Sequence, residues 1–158
     1  MSKNLVGLPV DGSKRVVEHL NKYLANLHVL YTKLHNYHWN VEGQGFFTIH
    51  AKLEEIYDGV NEEIDAVAER ILMLGERPLA SLADYLKVAD LKEAPSEGIQ
   101  GKELIEILLA DFQAMINSLR EGIETAQEVG DEVTVDMMIG ALSNLEKQVW
   151  MLDAFLRK

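Results

Sequence analysis

The sequence predicts an all-α protein that folds as one four-helix bundle with a single long crossover. Four long segments repeat apolar residues at helical spacing, and no segment alternates as a strand would. The connection between the second and third segments, about 25 residues with prolines and glycines, is long enough to cross a bundle, which gives up-down-down-up order. The 158 residues are expected to form a single domain, residues 1–158, with a sizeable core.

The first half of the chain is expected to form a helical hairpin. Ser13 is a residue type that caps helices, so we predict a helix over residues 13–41 after a short N-terminal tail, residues 1–12. The second helix is predicted over residues 48–74, where Gly75 ends it.

The second half begins with the crossover, in which Ser81 is placed to cap a short helix over residues 81–88. The third long helix is predicted over residues 102–129 and ends at Gly130. Asp131 then caps the fourth helix, which continues to the C-terminus.

Composition restricts the function. Lys and Arg number 15 against 26 Asp and Glu, and the net charge of −11 repels nucleic-acid phosphates and attracts cations. Because cysteine is absent, any metal must be bound by nitrogen and oxygen, which suits iron or manganese as well as zinc. No signal-peptide core or membrane-length apolar run occurs, so we expect a cytoplasmic protein without membrane contact.

Four residues of the predicted second helix are metal-ligand types that share one stripe: His50, Glu54, Asp65 and Glu69. With His50 at zero and about 100° per residue, the others lie near 40°, 60° and 100°. The apolar residues of the same helix centre near 300°. They are Leu53, Tyr57, Val60, Ile64, Val67 and Ile71. The stripe is therefore expected to face away from the core of its own bundle.

The stripe holds two pairs at i,i+4 spacing, His50 with Glu54 and Asp65 with Glu69. At 1.5 Å per residue, about 16 Å separates Glu54 from Asp65, so one chain cannot bring both pairs to one metal. When two copies of one helix lie antiparallel about a twofold axis, residues whose numbers have the same sum lie opposite each other. The numbers 50 and 69 have the same sum as 54 and 65, so the His50/Glu54 pair of each copy would face the Asp65/Glu69 pair of the other. The alternative is that all four are ordinary solvated positions.

A metal site inside the bundle is not predicted. Ferritin-like di-iron sites use Glu-x-x-His motifs that project into the core. None occurs here, because the residues three positions before the five histidines are Val16, Ala25, Thr32, His35 and Phe47.

Several runs together resemble a known family. They are LHNYHWNVEG at residues 34–43, FFTIH at 46–50 followed by Glu54 and Tyr57, and D-x-x-A-E-R-I-x-x-L-G at 65–75. Their spacing resembles the signature of the Dps family, the mini-ferritins named as DNA-binding proteins from starved cells. The resemblance implies a ferritin-like four-helix bundle with a short extra helix in the long crossover, assembling into a hollow dodecamer.

The resemblance also implies an activity and a site. Such a protein oxidises Fe(II), preferably with hydrogen peroxide, at ferroxidase sites between subunits, and it stores the ferric product in its cage. Two iron sites would lie at each twofold interface, and zinc or manganese are possible substitutes. The implied ligands are His38, His50 and Glu54 from one subunit with Asp65 and Glu69 from its partner. Relatives often have Asp at the position of Glu54.

Two of the implied site residues have simpler explanations. Helical spacing places His38 on the same face as core leucines, which is typical of a buried structural histidine. Trp39 resembles a family tryptophan that exchanges electrons near the site, and ordinary packing is the alternative.

The hairpin between the last two helices is acidic, without Lys or Arg from Glu121 to Glu146. In relatives, carboxylates in this region line a threefold pore for Fe(II), so Asp131 and Asp136 are candidate pore residues. The alternative is that they only complement the N-terminal dipole of the last helix.

Strong DNA binding is not expected despite the family name, because the tails offer only Lys3, Arg157 and Lys158 as basic residues. The alternative to an iron-oxidising storage protein is a non-catalytic helical cage or a cation-binding adaptor.

Overall fold

The protein is described by a computed structural model that covers residues 1–157. It consists of five helices and one pair of very short strands. In chain order these are α1 (Val10–Asn40), β1 (Val41–Glu42), α2 (Phe46–Met73), α3 (Leu82–Val88), β2 (Ile99–Gln100), α4 (Gly101–Val129) and α5 (Glu132–Leu156). The predicted bundle with a short helix in its crossover is confirmed.

The bundle packs as two helical hairpins. α1 lies against α2, α4 lies against α5, and α1 joins the two hairpins by packing on α4. The crossover lays α3 on α1, whereas α2 and α5 stay farther apart. Within residues 1–157, no helix is long and apolar enough to cross a membrane. The fully buried large side chains include Leu20, Leu24, Leu104, Leu108, Phe112 and Met115.

The first helix starts earlier than predicted. It begins at Val10, with Pro9 before it, and Ser13 lies inside the helix instead of capping it. The Asn4 side chain donates to Ser13 Oγ at 3.0 Å and to the carbonyl of Leu74 at 3.2 Å. The N-terminal segment is therefore hydrogen-bonded to the end of α2. A capping rule that considers only neighbouring residues cannot predict this contact.

The other predicted caps are confirmed. Ser81 Oγ accepts from the backbone N–H of Asp84 at 3.3 Å, which starts α3. Gly130 ends α4 in the left-handed conformation with φ 78°, and Asp131 caps α5 by accepting from the N–H of Thr134 at 3.0 Å.

One element was not predicted from the sequence. β1 and β2 form a parallel pair, Val41 with Ile99 and Glu42 with Gln100, that ties the end of α1 to the start of α4. Two residues per strand are too few to leave an alternating pattern in a sequence.

The bundle also buries an ion pair between α1 and α4. Lys33 Nζ lies 2.5 Å from Asp111 Oδ2, and both side chains are almost fully buried. Burial raises the pKa of Asp111, and the neighbouring lysine opposes that shift. Burial, followed by the charges of Asp111 and Glu103, raises the pKa of Tyr37 to about 12. The ion pair links α1 to α4 inside the bundle.

Candidate metal centre

The end of α1 and the start of α2 bring His38 and His50 together. The Nδ1 atom of each ring lies 2.7 Å from the backbone carbonyl oxygen of the other residue. Because a carbonyl oxygen only accepts, each Nδ1 carries the proton. A neutral imidazole with its proton on Nδ1 has its lone pair on Nε2, and this is the atom that each ring offers to a metal.

Aromatic contacts hold the two imidazoles in place. The rings of His38 and His50 stack with their centroids 3.7 Å apart at 11°. Phe46 stacks on His50 at 5.1 Å, and Tyr57 meets His38 edge-on at 5.3 Å. His38 is only 7% exposed, so its ring has little freedom to turn. The histidine pair is thus orientated before any metal arrives.

The carboxylates of the predicted stripe are all exposed on α2: Glu54, Asp65 and Glu69. α2 is one continuous helix from Phe46 to Met73, so the separation of about 16 Å between Glu54 and Asp65 stands. Within the described part of a single chain, no three His, Asp or Glu side chains converge on a point that a metal could occupy. The candidate ligands of one chain therefore lie in separate groups, and within the described residues no group forms a complete metal site.

Tyr57 lies beside the histidine pair, although the sequence placed it only on the apolar face of α2 and in the family-like run, without a role at the site. Its ring lies edge-on to His38 and stacks on His35 at 4.1 Å. Partial burial, followed by the charges of Glu54 and Asp58, raises the pKa of its hydroxyl. The phenol therefore stays protonated beside Glu54, as a neutral donor. The sequence did offer one indication of this position, because residues three apart on a helix are neighbours and Tyr57 follows Glu54 by three.

Trp39 is a largely exposed aromatic residue of this region, at 71%. Its ring lies 5.3 Å from that of His35, which in turn stacks on Tyr57. The tryptophan therefore reaches the histidine pair through two intervening rings. A role of Trp39 in electron exchange stays a prediction.

A further histidine lies beside the second pair of carboxylates. His28 and Asp65 line one cavity between α1, α2 and the crossover. The imidazole of His28 stacks on Tyr85 at 3.9 Å, and burial lowers its pKa. The sequence could not relate His28 to the ligand stripe, because His28 lies on α1 and helical spacing relates only residues of the same helix.

Asp131 lies buried at the N-terminal end of α5, where it caps the helix. The side chain is 2% exposed, and Arg70 Nη2 donates to Oδ1 at 2.7 Å. The hydroxyl of Thr134 donates to its other oxygen at 2.6 Å. These bonds support the capping alternative for Asp131, and its place in a pore stays a prediction. Asp136, by contrast, is exposed on α5.

The bundle and this arrangement of ligands define a class of protein. Residues 17–158 match the family model described as ferritin-like domain. The chain is 43% identical over 146 residues to DNA protection during starvation protein 2 of Bacillus anthracis, covering 92% of this chain and 99% of that protein. It is 45% identical to the DNA protection during starvation protein of Brevibacillus brevis, covering 87% and 91% of the two chains.

Solved structures agree with these relatives. The Dps protein from Vibrio cholerae O1, described as a member of a broad superfamily of ferritin-like diiron-carboxylate proteins, superposes with a TM-score of 0.95. It is 41% identical and covers 99% of this chain and 98% of its own. The Dps protein from Bacillus brevis gives a TM-score of 0.90 at 43% identity, with coverage of 93% and 98%.

The chain belongs to the Dps family of ferritin-like proteins. Family membership supports a role in iron storage and in protection against oxidative stress, and it implies that the protein binds iron.

Proposed function

We propose that this protein is a ferroxidase that oxidises Fe(II), preferably with hydrogen peroxide, at sites shared between twofold-related subunits. It then stores the ferric product inside a hollow dodecamer. The observation that carries the proposal is the split ligand set. His38 and His50 present free Nε2 atoms beside Glu54, while Asp65 and Glu69 lie about 16 Å farther along the same exposed stripe.

An antiparallel twofold contact between two copies of α2 would complete this set. Each histidine pair would then face the partner's Asp65 and Glu69, and two equivalent sites would form at the ends of the contact. Glu54 would stand on the histidine side of each site. The absence of a complete ligand cluster in residues 1–157 of one chain supports the need for a partner.

The donor chemistry suits Fe(II) as a substrate. Carboxylates are hard oxygen donors that favour Fe(III), and imidazoles bind Fe(II) without holding it as thiolates would. Two Fe(II) ions each lose one electron, and the peroxide takes up both electrons and two protons to become two water molecules. Because both electrons are delivered together, hydroxyl radical is not released. Zinc would occupy the same donors without changing its oxidation state, so it would inhibit.

Assembly is supported by the exposed apolar surface of a single chain. Five large apolar side chains are more than 60% exposed although they belong to well-formed helices, which is typical of surfaces that copies cover. They are Trp39, Phe47, Leu82, Val133 and Trp150. Asp136, with exposed Glu132 beside it on α5, is the proposed lining of a cation pore.

The function is tested by adding Fe(II) to the metal-free protein under anaerobic conditions and then adding peroxide. A ferroxidase gives a fast rise in ultraviolet absorbance from ferric species, with two Fe(II) consumed for each peroxide. A non-catalytic cage or cation-binding adaptor binds Fe(II) and gives no rise above the protein-free rate. Native mass spectrometry of the same sample is expected to give twelve subunits.

We expect no retention of DNA by the assembled protein at about 0.15 M salt, where exposed charges still act over about 8 Å. The reason is the net charge of −11 on each subunit, which opposes binding to phosphates. A gel-shift assay of the iron-free protein with duplex DNA measures this. A retarded band at that salt concentration would contradict the prediction.

A further inference from the structure

A second polar cavity lies in the groove between α2 and α5, away from the proposed iron ligands. It measures about 300 Å³ and opens where the two helices stay apart. Gly59 and Gly140 border it, and at both positions an added Cβ would meet no atom within 4 Å. The missing side chains leave the groove open to a small molecule.

The polar side chains of this cavity are Tyr23, Glu55, Glu63, Asn144 and Gln148, and two of them, Glu63 and Gln148, have oxygens that can accept further hydrogen bonds. Glu63 is half-buried, and its only hydrogen bond among the described residues is a long one of 3.3 Å from the Tyr23 hydroxyl. No Lys or Arg pairs with Glu63 in the part of the chain that the structure describes. Gln148 is 9% exposed, and its Oε1 is the one buried side-chain oxygen or nitrogen of residues 1–157 without a hydrogen-bond partner. A carboxylate without a cationic partner and an amide oxygen without any hydrogen-bond partner can each accept from a further donor.

The rest of the lining is hydrocarbon. Apolar side chains from all four long helices form the floor between Glu63 and Gln148, and they are Leu27, Leu30, Ile56, Phe112, Met115 and Leu145. A metal ion would gain nothing from such a floor, and no three His, Asp or Glu side chains converge within the described residues. An alkyl chain would bury its methylene groups there.

We propose that this cavity binds a small linear aliphatic diamine. One ammonium group donates to the Glu63 carboxylate, the methylene chain lies on the apolar floor, and the second ammonium donates to Gln148 Oε1. An ammonium group has three donors and no acceptor, which matches the missing partners on both walls. The negative charge of the whole chain further favours a cationic ligand.

The test is a calorimetric titration of the assembled, metal-free protein with 1,4-diaminobutane, butylamine and Mn²⁺. We expect one diamine bound per subunit, more tightly than the monoamine, and no Mn²⁺ binding that depends on Glu63. Glu63→Gln, which keeps the shape and the bond from Tyr23, should raise the Kd for the diamine at least about tenfold, because it removes a charge-assisted hydrogen bond. Glu62→Gln is the matched control, since it removes the same charge from the adjacent exposed residue, and it should change the Kd less than about twofold.

A second variant tests the other end of the cavity. Gln148→Met replaces the unpaired amide with a thioether of similar length, so it should abolish the preference for the diamine while leaving butylamine binding in place. The proposal is wrong if Glu63→Gln and Glu62→Gln weaken binding equally, if Gln148→Met leaves the preference intact, or if Mn²⁺ binds through Glu63 while the diamine does not.

Discussion

Replacing His50 or Asp65 with alanine is expected to slow peroxide-dependent oxidation of Fe(II) at least about 100-fold. Even groups that only orientate metal ligands cost about 10- to 100-fold when removed, and these residues are proposed to bind the iron directly. The measurement is the initial rate of the ultraviolet rise at saturating Fe(II). His50→Ala removes one of the two free Nε2 atoms, and Asp65→Ala removes an oxygen donor from the opposite side of the same site.

Two control variants separate loss of the site from loss of charge or fold. His19 is half-buried and bonded to Thr125 at 3.0 Å on the far side of α1, so His19→Ala removes an imidazole elsewhere. Glu106→Ala removes an exposed carboxylate from α4. Both should keep rates within about twofold of the wild type, since neither residue belongs to the proposed site and salt screens the exposed charge of Glu106. Wild-type rates in His50→Ala and Asp65→Ala would contradict the site assignment.

Asp131→Ala is expected to cost about 3–5 kcal/mol in the free energy of unfolding. The substitution leaves the Arg70 guanidinium, whose side chain is 6% exposed, without its partner, and breaking a buried ion pair costs that much. It also removes the cap of α5, which contributes about 1 kcal/mol. Urea denaturation at one fixed protein concentration measures the loss, because assembly makes stability depend on concentration.

Arg120→Ala provides the matched control for this prediction. It breaks an ion pair with Glu146 in which the two side chains are 57% and 49% exposed, so it should cost no more than about 1 kcal/mol. If Asp131→Ala costs no more than Arg120→Ala, then the buried pair between α2 and the α4–α5 hairpin does not stabilise the bundle as described.

The helices could be predicted from the sequence because each buries one apolar stripe, and that stripe repeats with the helical period. The caps at Ser81 and Asp131 could also be predicted from the sequence, since an N-cap side chain bonds to a backbone N–H within three residues. The start of α1 at Val10 could not be predicted from the sequence. It depends on Asn4 contacting the end of α2, 70 residues away.

The candidate site also has a part that could be predicted from the sequence and a part that could not. The ligand stripe of α2 follows from spacing alone, because one helix fixes the relative positions of its own residues. The reciprocal bonds between His38 and His50, and the place of Tyr57 beside them, depend on how α1 packs on α2. For Asp131 the sequence predicted a cap or a pore, and it gave no sign of the ion pair with Arg70, 61 positions away.

The most direct test of the shared site is co-expression of His50→Ala and Asp65→Ala subunits, followed by isolation of mixed assemblies through two different affinity tags. A mixed pair contains one site that lacks both residues and one site that is intact. With random pairing, half of the pairs are mixed, so activity should return to about a quarter of the wild-type rate although each variant alone is nearly inactive. If the mixed assemblies stay as inactive as the single variants, the two residues do not meet across a twofold axis and the shared site is wrong.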